Sequence, residues 1–108
     1  MTQKKITKKQ YEFNGITFDS APEMARYVEL LNDETITDIQ VHPKYLLLSK
    51  RSDERAVSYT ADFSYLKNGN AVVEDVKSRY TSKFPDYILK RKMFKYFYPD
   101  IIFNEHIK

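Results

Sequence analysis

Ser58-Tyr-Thr-Ala-Asp-Phe-Ser-Tyr-Leu66 and Ala71-Val-Val-Glu-Asp-Val-Lys-Ser78, joined by Lys67-Asn-Gly-Asn70, decide the fold. Both runs alternate and are rich in β-formers, and Asn-Gly is the strongest short-range hairpin signal. A loop centred on Asn68-Gly69 pairs residues whose numbers sum to 137. Asp62 then faces Asp75, and Thr60 faces Lys77. Like charges directly opposite on a sheet are destabilising. Two carboxylates placed so, with a lysine two residues on along the same face, point to a divalent cation.

The two faces of this hairpin read differently. Ala61, Phe63, Tyr65, Val72 and Val76 make one face apolar apart from Glu74. Thr60, Asp62, Ser64, Val73, Asp75 and Lys77 share the other. An antiparallel hairpin with a wet side accounts for polarity on that second face, though not for the Asp–Asp pairing. Carboxylates suit Mg²⁺, a hard cation that prefers oxygen ligands and keeps some of its waters. A metal on Asp62 and Asp75, with the Val76 carbonyl as a further ligand, would polarise a phosphodiester and acidify water. Lys77 would orient that water or stabilise charge in the transition state.

Outward from the hairpin, Tyr11 to Phe18 reads as a smaller Asn-Gly hairpin anchored by Phe13 and Phe18. A helix follows from about Ala21 to Asn32, with Ser20 as N-cap and Glu23 completing a Ser-x-x-Glu capping box. Its apolar stripe is Met24, Val28 and Leu31. Glu23 is either that cap or a third acid of the metal site. Thr35 to Val41 alternates as a strand, and Tyr45 to Leu48 resumes after Pro43, which marks an edge or a bulge. A second helix runs from about Pro85 to Tyr98, with Leu89, Met93 and Phe97 on one face and Arg91, Lys92 and Lys95 on the other. Ile101 to Phe103 starts a last strand. A strand–helix–strand step implies a right-handed crossover and a mixed sheet with helices packed against it.

The 108 residues make one domain, with 1–10 as a loose basic arm and 11–108 as the folded part. Two glycines argue against a Gly-rich phosphate loop, and the absence of cysteine excludes disulfides, thiol catalysis and Cys-ligated zinc. No apolar run serves as a signal peptide or approaches the roughly 20 residues of a membrane span. No membrane partner is expected, and the composition fits a reducing, cytoplasmic setting. Net charge is only +3, but four lysines precede Tyr11, and seven basic residues against one acid lie between Lys77 and Lys95. Such asymmetry fits a polyanionic partner or a solvated lysine face. Tyr80, Phe84, Tyr87 and Phe94 interleave with this basic run and either stack on bases or pack in the core. His42 and His106 read as isolated histidines rather than ligands.

Asp62, followed by Asp75-Val-Lys77 on the next strand, resembles the core of the PD-(D/E)XK nuclease superfamily. Phe18-Asp-Ser-Ala-Pro-Glu23 with Arg26-Tyr27, Tyr59-Thr-Ala-Asp-Phe63, Val73-Glu-Asp-Val-Lys77 and the Lys-rich helix after Thr81 extend the match from Phe18 to Phe103. The chain is similar to a small phage and prophage family grouped with Holliday-junction-resolvase-like and transposon-end endonucleases. The resemblance implies an α/β, restriction-endonuclease-like core: helix, three antiparallel strands, helix, strand. It implies Mg²⁺-dependent DNA cleavage, with Mn²⁺ as substitute, in recombination, replication or repair in a bacterial or phage-infected cytoplasm. Asp62 and Asp75 become metal ligands, Lys77 the catalytic lysine, and Glu23 the helical acid. Lys90 or Lys92 matches a basic residue of the second helix. Arg79, Lys83, Lys90, Arg91, Lys92 and Lys95 become the DNA-binding set. Ala61 stands where the name-giving proline would precede Asp62. One chain offers one site, so cutting two strands calls for a homodimer. The alternatives are a non-catalytic nucleic-acid-binding accessory protein of the same fold and a module whose basic face binds an acidic protein.

Overall fold

The computed structural model describes residues 11–108; the basic arm expected over 1–10 lies outside the described residues. Strands β1 (Glu12–Phe13) and β2 (Ile16–Thr17) form the small hairpin around Asn14-Gly15. Helix α1 spans Ala21–Leu31, followed by β3 (Ile36–Val41), β4 (Lys44–Leu48), β5 (Val57–Thr60), β6 (Phe63–Lys67) and β7 (Asn70–Lys77). A 3-10 turn at Thr81–Lys83 leads into α2 (Pro85–Phe97), and β8 (Ile102–Ile107) ends the chain. The architecture is α/β, with a mixed sheet and two helices. Neither helix is long and apolar enough to cross a membrane.

The main sheet has the order β3-β6-β7-β8. Asn68 and Gly69 both take positive φ, 51° and 83°, as the tight turn between β6 and β7 requires. The predicted register holds from Lys67↔Asn70 to Phe63↔Glu74 and stops there. Thr60 does not face Lys77: it pairs with Lys44 of β4. The chain bends at Ala61-Asp62, where the Ala61 N–H turns to the Pro43 carbonyl at 3.0 Å. β5 thereby leaves the main sheet and forms a separate antiparallel pair with β4. Pro43 accordingly sits in the turn between two sheets, not within a strand. β8 runs parallel to β7, joined to it through α2.

Alternation along β6 and β7 splits the core in two. Phe63, Tyr65 and Val72 pack with Phe18, Tyr27, Leu30 and Ile36 on the α1 side. Val73 packs with Leu47, Tyr59, Ala61 and Phe94 on the α2 side. The expected wet face is therefore covered by α2 and the β4–β5 pair, and Asp75 is 2% exposed. Both helical stripes are rotated from expectation. α1 buries Glu23, Tyr27 and Leu30 and leaves Leu31 exposed. Tyr27 stacks on Phe63 with 13° between the rings. α2 buries Tyr87 and Phe94, while Leu89 and Phe97 face outward. The buried face of each helix centres on aromatic rings, Tyr27 in α1 and Tyr87 and Phe94 in α2.

On the face of β7 that packs against α1, Glu74 is fully buried. It accepts from Arg26 Nε at 2.6 Å and Nη2 at 3.0 Å, from Tyr65 at 2.6 Å and from Asn104 at 2.8 Å. Burial pushes its pKa up, but the Arg26, Tyr65 and Asn104 hydrogen bonds outweigh burial and hold it below the usual value. This bidentate clamp fastens α1 to β7 and β8. Removing one partner of a buried ion pair strands the other charge. Arg26→Ala is expected to lower the unfolding free energy in urea by about 3 kcal/mol; a loss below about 1 kcal/mol would mean that Glu74 is not held as a buried anion.

Candidate metal and nucleic-acid site

The bend at Ala61-Asp62 creates the site. Beyond Phe63↔Glu74 the ladder has no β6 partner for β7, and side chains take its place. The Asp62 carboxylate accepts the Val76 N–H at 2.7 Å, and the Asp75 carboxylate accepts the Asp62 N–H at 3.0 Å. Each aspartate thus satisfies a backbone group on the other strand. The Tyr59 hydroxyl donates to the second oxygen of Asp75, and Lys77 Nζ lies 3.8 Å from that same oxygen. Lys77 is itself steered by the ring of Tyr87, 4.5 Å below its ammonium group. The Tyr87 hydroxyl in turn hydrogen-bonds Glu105 of β8, beside Asp75 in the parallel register.

Glu23 enters from the first turn of α1. The Ser20 hydroxyl accepts the Glu23 N–H at 3.2 Å, as the capping box expects. The Glu23 carboxylate meets His42 Nε2 at 2.6 Å instead of serving only as a cap. Asp19, Glu23 and His42 bring potential ligand atoms within 4.8 Å of one another, a grouping that includes neither Asp62 nor Asp75. His42, read from the sequence as isolated, is thus part of the site. Its N–H donates to the Asp62 carbonyl at 2.9 Å, which continues the β3–β6 ladder by one residue. His42 carries φ 57°, and a bulge with Asp38 at φ 57° shifts the β3–β6 register upstream. A strand-register shift at an aspartate leaves no pattern in the sequence, so nothing there signalled the His42–Glu23 contact.

A cleft of about 380 Å³ opens between these elements, lined by Glu23, Asp62, Val76, Lys77, Ser78 and Thr81 together with Asp19, Ser20, Pro22 and Lys108. Glu23, Asp62, Val76 and Lys77 therefore meet at one opening; buried Asp75 is not part of its lining but bonds the Asp62 backbone N–H. The basic residues divide. Arg79 and Lys83 are exposed on the segment that follows Lys77, and Lys92 and Lys95 are exposed on α2. Arg91 does not join an outward basic face. It is half-buried, 3.4 Å from Glu105 and over the Tyr87 ring. Lys90 is also half-buried. Of the four interleaved aromatics, Tyr87 and Phe94 are core, whereas Tyr80 and Phe84 are exposed.

Electrostatically the site is frustrated. Burial raises the Asp75 carboxyl to about 7, the nearby Asp62 charge pushes the same way, and Tyr59 and Lys77 only partly offset them. Burial also raises Asp62, against the Val76 N–H and Lys77. Glu23 is raised by burial and by Asp62, with His42 pulling it back. Buried Glu23 and Asp75 and half-buried Asp62 all resist ionisation, and Asp62 with Asp75 offers hard oxygen atoms short of positive charge. That chemistry fits Mg²⁺ or Mn²⁺.

Comparison with known proteins gives a family and no activity. Residues 3–108 match the family described as "Protein of unknown function (DUF1064)". The chain belongs to the DUF1064 family. No curated protein and no solved structure matches it. The match spans all of α1, the hairpin and α2, so the whole constellation around Asp62 and Asp75 falls inside the DUF1064 region.

A carboxyl whose folded pKa lies above its unfolded value binds more protons in the folded state, so stability falls as pH rises between the two values. For Asp75 that window runs from 3.8 to about 7. Glu74 works in the opposite sense, and its contribution is complete above its unfolded value of 4.5. In chelator, the melting temperature is expected to fall between about pH 5 and pH 7, and Asp75→Asn is expected to flatten that fall. An identical slope in Asp75→Asn would show that Asp75 is not the strained group.

Proposed function

We propose that this domain is a divalent-metal-dependent DNA endonuclease with a restriction-endonuclease-like core, selecting DNA by structure rather than sequence. One observation carries the reading: Asp62 and Asp75 are locked together at the end of a strand ladder, with Lys77 beside Asp75 and Glu23 across the cleft. The order of these residues is that of the Asp…Asp-x-Lys motif noted in the sequence. The α1, β3-β6-β7, α2, β8 succession supports the same reading, with β4–β5 as an insertion at the bend.

Asp62 and Asp75 would hold the cation, with Glu23 as the third acid and Val76 at the same opening. The cation would polarise the phosphodiester and acidify water. Lys77, held between Asp75 and the Tyr87 ring, presents a fixed positive charge where negative charge grows in the transition state. Its preset position avoids reorganisation during the reaction. His42 keeps the Glu23 carboxylate oriented into the cleft. Arg79 and Lys83 on the exposed segment after Lys77, and Lys92 and Lys95 on α2, supply phosphate contacts. Cutting both strands of a duplex or junction needs two such sites and hence a second copy of the chain.

A cleavage assay on nicked, flapped and four-way-junction DNA, with Mg²⁺ and with chelator, tests the proposal. Asp62→Ala and Asp75→Ala are expected to abolish cleavage. Lys77→Ala is expected to slow it by about 100-fold or more while metal affinity persists. Glu23→Gln preserves the hydrogen-bonding options of a helix cap, so a severe loss of cleavage with unchanged melting temperature assigns Glu23 to the chemistry. Full activity of Lys77→Ala, or no Mg²⁺-dependent cleavage of any substrate by the wild type, contradicts the reading.

A further inference from the structure

We propose that Tyr80 and Phe84 form a stacking step for an unpaired base at the rim of the cleft, so that the domain takes DNA carrying single-stranded or unstacked nucleotides. The proposal deepens the nuclease reading and rests on it for the choice of DNA as partner. Tyr80 is 75% exposed and Phe84 44%, and the two rings meet edge to face with centroids 5.1 Å apart. Ser78 and Thr81, on either side of Tyr80, line the cleft. Tyr80 follows Lys77 by three residues, a chain length of at most about 11 Å, so the rings stand within a nucleotide or two of the site.

The segment that carries the rings is built, not loose. Ser78 and Thr81 exchange hydrogen bonds: Thr81 Oγ1 accepts the Ser78 N–H at 2.9 Å, and Ser78 Oγ accepts the Thr81 N–H at 3.0 Å. The Ser82 hydroxyl donates to the Arg79 carbonyl at 2.9 Å. The Lys83 N–H donates to the Tyr80 carbonyl, and the Phe84 N–H to the Thr81 carbonyl, each at 3.2 Å. A polar scaffold thus fixes two aromatic rings in water, although none of its bonds needs an aromatic residue. Exposed Arg79 and Lys83 alternate with the rings along the chain. Cationic and aromatic side chains on one rim match a strand that offers phosphate on one side and a base on the other, and stacking tolerates any base. A fully paired duplex hides its base faces and gains only the phosphate contacts.

Fluorescence anisotropy in chelator, where no cutting occurs, tests this with a labelled oligothymidine, the same length of strand lacking bases, and a blunt duplex. Tyr80→Ala is expected to weaken oligothymidine binding about 5- to 150-fold, the span given by one stacked base. Duplex affinity is expected to change less than about twofold, because phosphate contacts remain. Tyr80→Phe keeps the ring and is expected to bind as the wild type does. The baseless strand is expected to bind the wild type as weakly as oligothymidine binds Tyr80→Ala. Tyr96→Ala, at an equally exposed ring about 18 Å along α2 from Phe84, is expected to change nothing. Equal oligothymidine affinity in Tyr80→Ala and wild type overturns the stacking step, as does an equal loss on duplex or an equal effect of Tyr96→Ala. Wild type that fails to bind oligothymidine also overturns it. These results are independent of chemistry: a protein that stacks bases but never cuts refutes the nuclease reading alone, and one that cuts without using Tyr80 refutes the stacking step alone.

Discussion

The reciprocal bond between Asp62 and Asp75 is the constraint on which the rest of the site depends. At the bend after β5, β7 loses its antiparallel neighbour and exposes backbone groups that need partners. The Asp62 carboxylate supplies one for Val76, and the Asp75 carboxylate supplies one for Asp62. Two side chains therefore finish a sheet that the main chain leaves unfinished. The arrangement holds both carboxylates at one place whether or not both are charged. Lys77, two residues past Asp75 on the same face, is delivered to the same place by the pleat alone.

Glu74 and Asp75 show how one strand divides structure from chemistry. They are adjacent, both buried, and point to opposite sides of the sheet. Glu74 meets an arginine, a tyrosine and an amide, and its carboxyl is held below the usual range. Asp75 meets a tyrosine, the Lys77 ammonium at 3.8 Å and another carboxylate, and burial with the Asp62 charge drives its carboxyl up. The first is a satisfied anion that fastens α1. The second is only partly compensated by Lys77, the perturbed state expected of a functional site and not of a structural ion pair.

Much of this was legible from the residues. Asn68-Gly69 specified the register, Ser20 the start of α1, and Pro99-Asp100 the break before β8, because each acts through local backbone geometry. That register, extended by one residue, pointed to Asp62 beside Asp75, but the ladder ends at Phe63↔Glu74 and side-chain bonds to backbone N–H groups bring the two aspartates together. What was not legible depends on distant partners. Thr60 left Lys77 because Ala61 bonds to Pro43, a contact made across 18 residues. Arg91 turned inward because Tyr87 and Phe94 rotated α2. His42 reached Glu23 through a bulge at Asp38 that no spacing rule marks.

The central claim is that Asp62 and Asp75 strain the fold because they await a divalent cation. Thermal unfolding at pH 7.5, in millimolar Mg²⁺ and in chelator, tests it most directly in wild type and Asp75→Asn, since a ligand bound only to the folded state raises stability by mass action. The account predicts that Mg²⁺ raises the wild-type melting temperature by several degrees, while Asp75→Asn melts at one temperature in both buffers. An equal metal response in both proteins, or none in the wild type, would contradict it.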